Sequence, residues 1–517
     1  MSIHKFGRSA LAGMILFLVG TAHSSAACIP EELKTPAPQD PVVRALAAQS
    51  TCPKSAAEFT QALRRLGAQM EPTMVNFAGF HSPEKGGFFI FEIVSSAGAP
   101  PSNFKVERGD LVFGHFADAT PDGQLLSNER DLTIELIAWD PVKQFYNFYE
   151  LVDGTWSYRG DSKDILDDVR SLHRQRSDST NPFGPGLRCA GCHINGGLLQ
   201  KELTPPHNDW FRQGRPLPLK QLKPDAFIKG KLDDLVDASE LSKLVVASAR
   251  RLATSPGYRK VLETRNSMQE QLRPLFCPME VNIESDAAPF GDQKPTLQIP
   301  SAFFVDSRLA TAAISVKRDH YVAALQKLRS HLPKTTPRRE DADHGWLTPV
   351  KAHSDIALVD ALIEAGVVDN EFATAVLAID FANPAFSKTR CDLLKLVPDR
   401  PGPDFVARFR DALRGTSVPG AAELLDNLSN PARNAAFHRQ RAQAFLSSCQ
   451  QHSSEPEMVL NWVRLLAQRR IEVSTSEISL KPVGFHILED PGRVVFPSTE
   501  PPARPRGLTL TPTCQVQ

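Results

Sequence analysis

Two cysteines and a histidine stand together at Cys189-Ala190-Gly191-Cys192-His193. The thiols are separated by two residues, so one turn of chain presents both, and an imidazole follows the second directly. That spacing lets each sulfur form a thioether with one vinyl group of a porphyrin while the histidine reaches the iron beneath it. The chemistry implied is the covalent attachment of one haem c. With 8 cysteines and 14 histidines in 517 residues, chance would produce the pattern roughly 0.003 times. A zinc ribbon would need a second Cys-x-x-Cys, and the sequence has none. A thioredoxin-type dithiol follows a strand, whereas here Asn181-Pro182-Phe183-Gly184-Pro185-Gly186 precedes the motif as a loop.

The group opposite the histidine decides what the iron would do. A methionine thioether fills the position and raises the potential, a second histidine lowers it, and an open position admits a small molecule. The candidates are Met279, Met268 and His207. Each has a plainer alternative: methionine fills gaps in cores, and His207 sits in a polar loop, Thr204-Pro205-Pro206-His207-Asn208-Asp209. Beside the motif, Arg188 could pair with a haem propionate and Asn195 could donate to a propionate or to nearby backbone. Turn and surface roles are their alternatives. Asn195-Gly196-Gly197 should turn the chain away from the porphyrin edge. The sequence has no G-x-S-x-G elbow, P-loop, H-E-x-x-H or G-x-G-x-x-G.

Attachment of haem c takes place outside the bacterial inner membrane, and the start of the chain agrees with export. Lys5 and Arg8 precede an apolar run from Ala10 to Val19 and the small residues Ser24-Ser25-Ala26-Ala27. This is the pattern of a secretory signal over residues 1–27, too short in its apolar part to span a membrane. Ser25-Ala26-Ala27-Cys28 resembles a lipobox except at Ser25, so lipidation of Cys28 is an alternative to simple cleavage. No later segment reads as a transmembrane helix. In an oxidising compartment the six cysteines outside the motif (Cys28, Cys52, Cys277, Cys391, Cys449 and Cys514) are expected to form disulfides. Proximity in sequence suggests Cys28–Cys52 and Cys391–Cys449. Basic and acidic residues balance at 59 each, which argues against a nucleic-acid partner.

The elements that must hold the motif divide the chain into three parts, an α+β multidomain organisation. Residues 28–174 form a β-rich domain. Its strands are read at 87–94, 110–116, 132–139 and 145–151, which are aromatic and β-branched runs parted by turn signals. Helical patterns occupy 55–66 and 162–173. These aromatic residues read as the core of an antiparallel sheet or sandwich. Residues 175–285 form the haem segment, with helices at 238–254 and 258–271. Residues 286–517 form a mostly α-helical domain with an irregular, proline-rich tail from residue 483. The 41 prolines suggest rigid connections and few long helices.

At Cys189, Cys192 and His193, together with the export signal, the chain resembles bacterial exported c-type cytochromes. The flanks, including Leu272-Arg273-Pro274-Leu275-Phe276-Cys277-Pro278-Met279, are similar to large proteobacterial proteins with a cytochrome c domain. The resemblance implies one covalent haem c held by Cys189, Cys192 and His193, attached by the cytochrome c maturation machinery. The expected activity is electron transfer to an unidentified redox partner protein in the periplasm of a Gram-negative bacterium. Two other readings stand beside it. One is a haem oxidase or peroxidase with an open distal side, and the other is a haem-based sensor or interaction protein.

Overall fold

A computed structural model describes residues 28–30, 33, 39–82, 85–98, 104–119, 132–166, 193, 195–198, 208–211, 225–265, 268–278, 281–284, 294–328, 346, 348–475 and 507–517. Cys189, Cys192, Arg188, His207, Met279 and the signal at 1–27 lie outside the described residues, as does most of the tail.

The fold is mixed α and β, with a sheet in the N-terminal half and helices in the C-terminal half. The sheet is an antiparallel meander of β1 (Ala68–Ser82), β2 (Lys85–Ser96), β3 (Leu111–Ala119), β4 (Thr133–Asp140), β5 (Phe145–Val152) and β6 (Thr155–Asp161). A seventh strand, β7 (Asn208–Trp210), joins the free edge of β1. That strand comes from the segment following the motif and covers Val75 to Phe77 of the β1 edge, part of an edge otherwise open to other chains. The four strands read from the sequence fall within β2 to β5, in a single sheet.

Strand residues alternate between two buried faces. On one face, helices α1 (Pro41–Ala47) and α2 (Ala56–Arg65) bring Val42, Leu46, Phe59 and Leu63 against Ile90, Phe113, Leu136 and Tyr149. Asp40 fastens this layer. One oxygen of its fully buried carboxylate accepts the N–H groups of Val42 and Val43 as the helix cap, and the other accepts Asn147 Nδ2 at 2.7 Å and the Tyr149 hydroxyl at 2.5 Å. Short helix α3 (Ala226–Asp233) adds Ile228 to the same layer.

On the other face lies α4 (Ser239–Thr254), whose Leu241, Leu244 and Val245 cover Ile93 and Val112. It is followed by α5 (Pro256–Arg265), α6 (Met268–Phe276), β8 (Val281–Glu284), β9 (Thr296–Ile299), β10 (Ile314–Lys317), α7 (Arg318–Leu328), β11 (Thr348–Lys351) and α8 (His353–Glu364). The remaining helices are α9 (Asn370–Leu377), α10 (Lys388–Leu393), α11 (Phe405–Arg414), α12 (Ala421–Asn427), α13 (Pro431–His452) and α14 (Pro456–Thr475). Helix α4 joins the halves. Its Ala249 and Ala253 meet Ala357 and Ala361 of α8, a seam of small residues that lets the two backbones approach closely. The main core runs without a break from Trp139, Tyr146 and Phe148 of the sheet to the helical half.

Among the described residues the longest helices are α13 and α14, with 22 and 20 residues, and one expectation, a disulfide pairing, is corrected. Four helices, α1, α5, α13 and α14, begin on a proline, where the missing N–H has no helical partner to lose. The disulfides are Cys28–Cys52, Cys277–Cys391 and Cys449–Cys514, so the expected Cys391–Cys449 pair is replaced. Cys277 at the end of α6 lies 4.7 Å from Cys391 of α10 between Cα atoms, a neighbour made by packing and not by sequence. Cys28, as expected, pairs with Cys52, which commits the sulfur that lipidation would need.

Candidate functional site

His193 lies in a short loop wedged between the sheet and the helices, and each anchor of that loop has a local cause. The chain turns immediately after the histidine, with Gly196 N–H donating to His193 O at 2.7 Å. Gly196 has φ +72°, and a Cβ there would stand 3.0 Å from the Ser162 carbonyl oxygen. Only glycine meets both demands. Gly197 lets Leu252 of α4 approach, because a Cβ would lie 3.3 Å from its Cδ2. Leu198 then enters the apolar layer with Ile93, Val112 and Leu244.

Two hydrogen bonds hold the loop from outside and a third from within. Ser162, at the start of a helical turn after β6, donates its hydroxyl to Gly196 O at 2.6 Å and accepts Tyr146 N–H of β5 at 2.9 Å. Asn195 Nδ2 donates to Ser354 Oγ in the first turn of α8 at 2.7 Å. The third is internal: His193 Nδ1 lies 2.8 Å from the carbonyl oxygen of Gly197. A carbonyl can only accept, so Nδ1 carries the proton and Nε2 is the nitrogen with the lone pair. The imidazole packs at 5.4 Å against the Phe148 ring. This is how proteins prepare a metal-ligating histidine: one nitrogen donates to backbone, which sets the tautomer and the ring plane, and the other faces the metal. His193, held in this tautomer, has the chemistry of an axial nitrogen ligand; the two cysteines before it lie outside the described residues.

The sequence-predicted residues are distributed as follows. His193 and Asn195 are together in the loop, but Asn195 bonds to Ser354. Met268, at the start of α6, is 1 % exposed in the main core, with its N–H tied to Asp399 O at 2.8 Å. That core also contains Phe148. Cys189, Cys192, Met279 and His207 lie outside the described residues. Sequence reasoning missed Ser162, Ser354 and Phe148. Asn195-Gly196-Gly197 did announce the turn, but a lone serine carries no signal of its partner. Among the described residues no three or more His, Cys, Asp or Glu side chains gather as a metal site.

Beyond Ser354, a cavity of about 550 Å³ lies between α4, α8 and the helical half, lined in part by Ser242, Asp306, Lys351, His353, Asp355 and Val359. Lys351 Nζ and Asp306 Oδ2 pair at 3.1 Å in its wall. Burial lowers the Lys351 ammonium pKa, which Asp306 partly restores. Burial alone would raise the Asp306 pKa, but Lys351, the Arg308 N–H and Arg390 together bring it below the usual carboxylate value.

No known protein family, curated protein or solved structure matches this chain.

Proposed function

We propose that the chain is an exported, monohaem c-type cytochrome-like protein that carries single electrons in the periplasm. The observation that carries this reading is the His193 imidazole, with Nδ1–H fixed on Gly197 O directly after a Cys-x-x-Cys pair. The cysteine pairing supports it. All six cysteines outside the motif are paired with one another, so none is available to Cys189 or Cys192. Three disulfides also agree with an exported protein. No helix among the described residues is long and apolar enough to cross a membrane.

In this reading Cys189 and Cys192 hold haem c through two thioethers, and His193 ligates it through Nε2. When bound, the haem supplies a one-electron couple. The chain does the rest. Gly197 O holds the proton on Nδ1, and Ser162 and Ser354 keep the loop from tilting. Phe148 packs against the imidazole, and Leu252 against Gly197. Met268, Met279 and His207 are the candidates for the opposite position, and the haem segment is 175–285. The partner is a periplasmic redox protein.

The test is the ferrous absorption spectrum, with and without carbon monoxide, of protein exported from cells equipped for cytochrome c assembly. A c-type spectrum unchanged by carbon monoxide is expected. A shifted spectrum would transfer the protein to the oxidase, peroxidase or sensor readings. Absence of covalent haem would remove all of them.

A further inference from the structure

Strand β5 places Tyr146 and Phe148 on one face, being two residues apart, and that face looks onto the His193 loop. The Phe148 ring packs against the imidazole at 5.4 Å. Tyr146 reaches the same loop through its backbone. Its N–H donates to Ser162 Oγ at 2.9 Å, and Ser162 Oγ donates to Gly196 O at 2.6 Å. One peptide further on, Gly197 O accepts His193 Nδ1–H at 2.8 Å. Three hydrogen bonds and one peptide unit therefore join the imidazole to Tyr146 without a gap.

The line continues outward. Tyr146 is in register with Trp139 of β4, and the two rings meet at 4.9 Å with a 64° interplanar angle. Trp139 stands near the end of β4, with the Arg251 guanidinium 4.2 Å over its ring. The turn that follows exposes Val142, which is 75 % accessible. A close-packed interior transmits an electron better along bonded and ring-to-ring contacts than across voids. Aromatic packing alone would explain the buried rings, but it does not require the unbroken hydrogen-bonded link from Tyr146 to the histidine.

Resting on the electron-carrier reading, we propose that His193, Phe148, Tyr146 and Trp139 form the route by which one electron passes between the haem side and the surface at the β4–β5 turn. The partner in this transfer is a one-electron acceptor reached from the exposed β4–β5 turn, where Val142 is 75 % accessible while Trp139 lies buried beneath Arg251. It gains one electron, and the group held by His193 gives one up. No covalent bond changes and no proton moves, because the rings only mediate.

The experiment places a ruthenium photo-oxidant on Val142→Cys and, separately, on Phe437→Cys of α13, which is 57 % accessible and remote in sequence. Flash-quench oxidation of the haem is followed by transient absorption. The route predicts that Trp139→Leu slows transfer from position 142 several-fold, that Trp139→Phe restores much of it, and that transfer from position 437 is unaffected by either. Equal rates in Trp139→Leu and its parent, or equal slowing from both labels, overturn the route. A second readout needs no haem. In the full chain exported without haem attachment, the Ru(III) label at 142 takes one electron from Trp139, the indole proton passes to water, and a radical appears by electron paramagnetic resonance. The radical is absent in Trp139→Leu; its persistence there overturns the outer half of the route. A chain without covalent haem declares itself in the absorption spectrum and overturns the electron-carrier reading, whereas loaded protein indifferent to Trp139 overturns the route alone.

Discussion

Glu92 of β2 is fully buried, yet it meets His115 Nε2 of β3 at 3.2 Å and the Lys231 ammonium of α3. Burial by itself would push this carboxyl up; His115 and Lys231 more than offset it and hold it below its ordinary value of 4.5. A depressed carboxyl stabilises the fold at pH above its unfolded value, and that stability is lost as pH falls through its lower folded value. Glu92→Gln is therefore expected to reduce the fall of unfolding free energy below pH 4.5 relative to the parent. Breaking the pair from the other side is more severe. Lys231→Met removes one of the two groups that offset the burial of Glu92 and should cost up to about 3–5 kcal/mol, with the double variant losing less because the buried carboxylate is then gone. Urea unfolding at neutral and acidic pH checks both; an additive double variant would contradict the pairing. Since α3 follows the chain's return from the motif, this ion pair pins that return to the sheet.

The loop from His193 to Leu198 and the helix α3 use glycine in opposite ways. Gly196 needs its left-handed φ and has no room for a Cβ, whereas Gly230 lies inside α3 with nothing within 4 Å. Gly196→Ala is expected to cost about 1–2 kcal/mol from backbone strain alone and to lower the fraction of chains carrying covalent haem. Gly230→Ala should gain up to about 1 kcal/mol and leave attachment unchanged. Denaturation curves and peroxidase-based haem staining read the two effects. The same contrast explains what was legible in the sequence. Strands β2 to β5 show as aromatic and β-branched runs, and α4 spans 239–254 where a helix is read at 238–254. Strand β1 was missed because Pro72 and Gly79 break its pattern. Pro72 pairs with Glu92 on one side, while β7 reaches only Val75 to Phe77 on the other, so no ladder N–H is missed there. His193 and its turn were readable, but Ser162 and Ser354 were not, since their importance comes from elements 34 residues before and 159 residues beyond their loop partners.

The way the whole chain is fastened yields a direct count. Cys28–Cys52 anchors the entry to the sheet, and Cys277–Cys391 ties α6 to α10 across 114 residues of sequence. Cys449–Cys514 holds the final segment onto α13 across 65 residues, where Trp462 Nε1 donates to Cys514 O at 3.1 Å. The even number of cysteines was readable from the sequence, but the partners follow from helix packing, which sequence spacing does not report. Closing loops of these lengths stabilises the folded chain by roughly 3–5 kcal/mol per link in the chain-entropy account. If Cys189 and Cys192 are both thioethers, the denatured, unreduced protein has no titratable thiol, and full reduction releases six of the eight sulfurs. Thioethers resist reduction and disulfides do not, so a count of eight would mean that the motif cysteines carry no thioether, whether they are a disulfide or free thiols, and the haem reading would fall. Six thiols, together with mass mapping that finds Cys277 linked to Cys391 and Cys449 to Cys514, would support both the fold's fastening and the chemistry of the motif it surrounds.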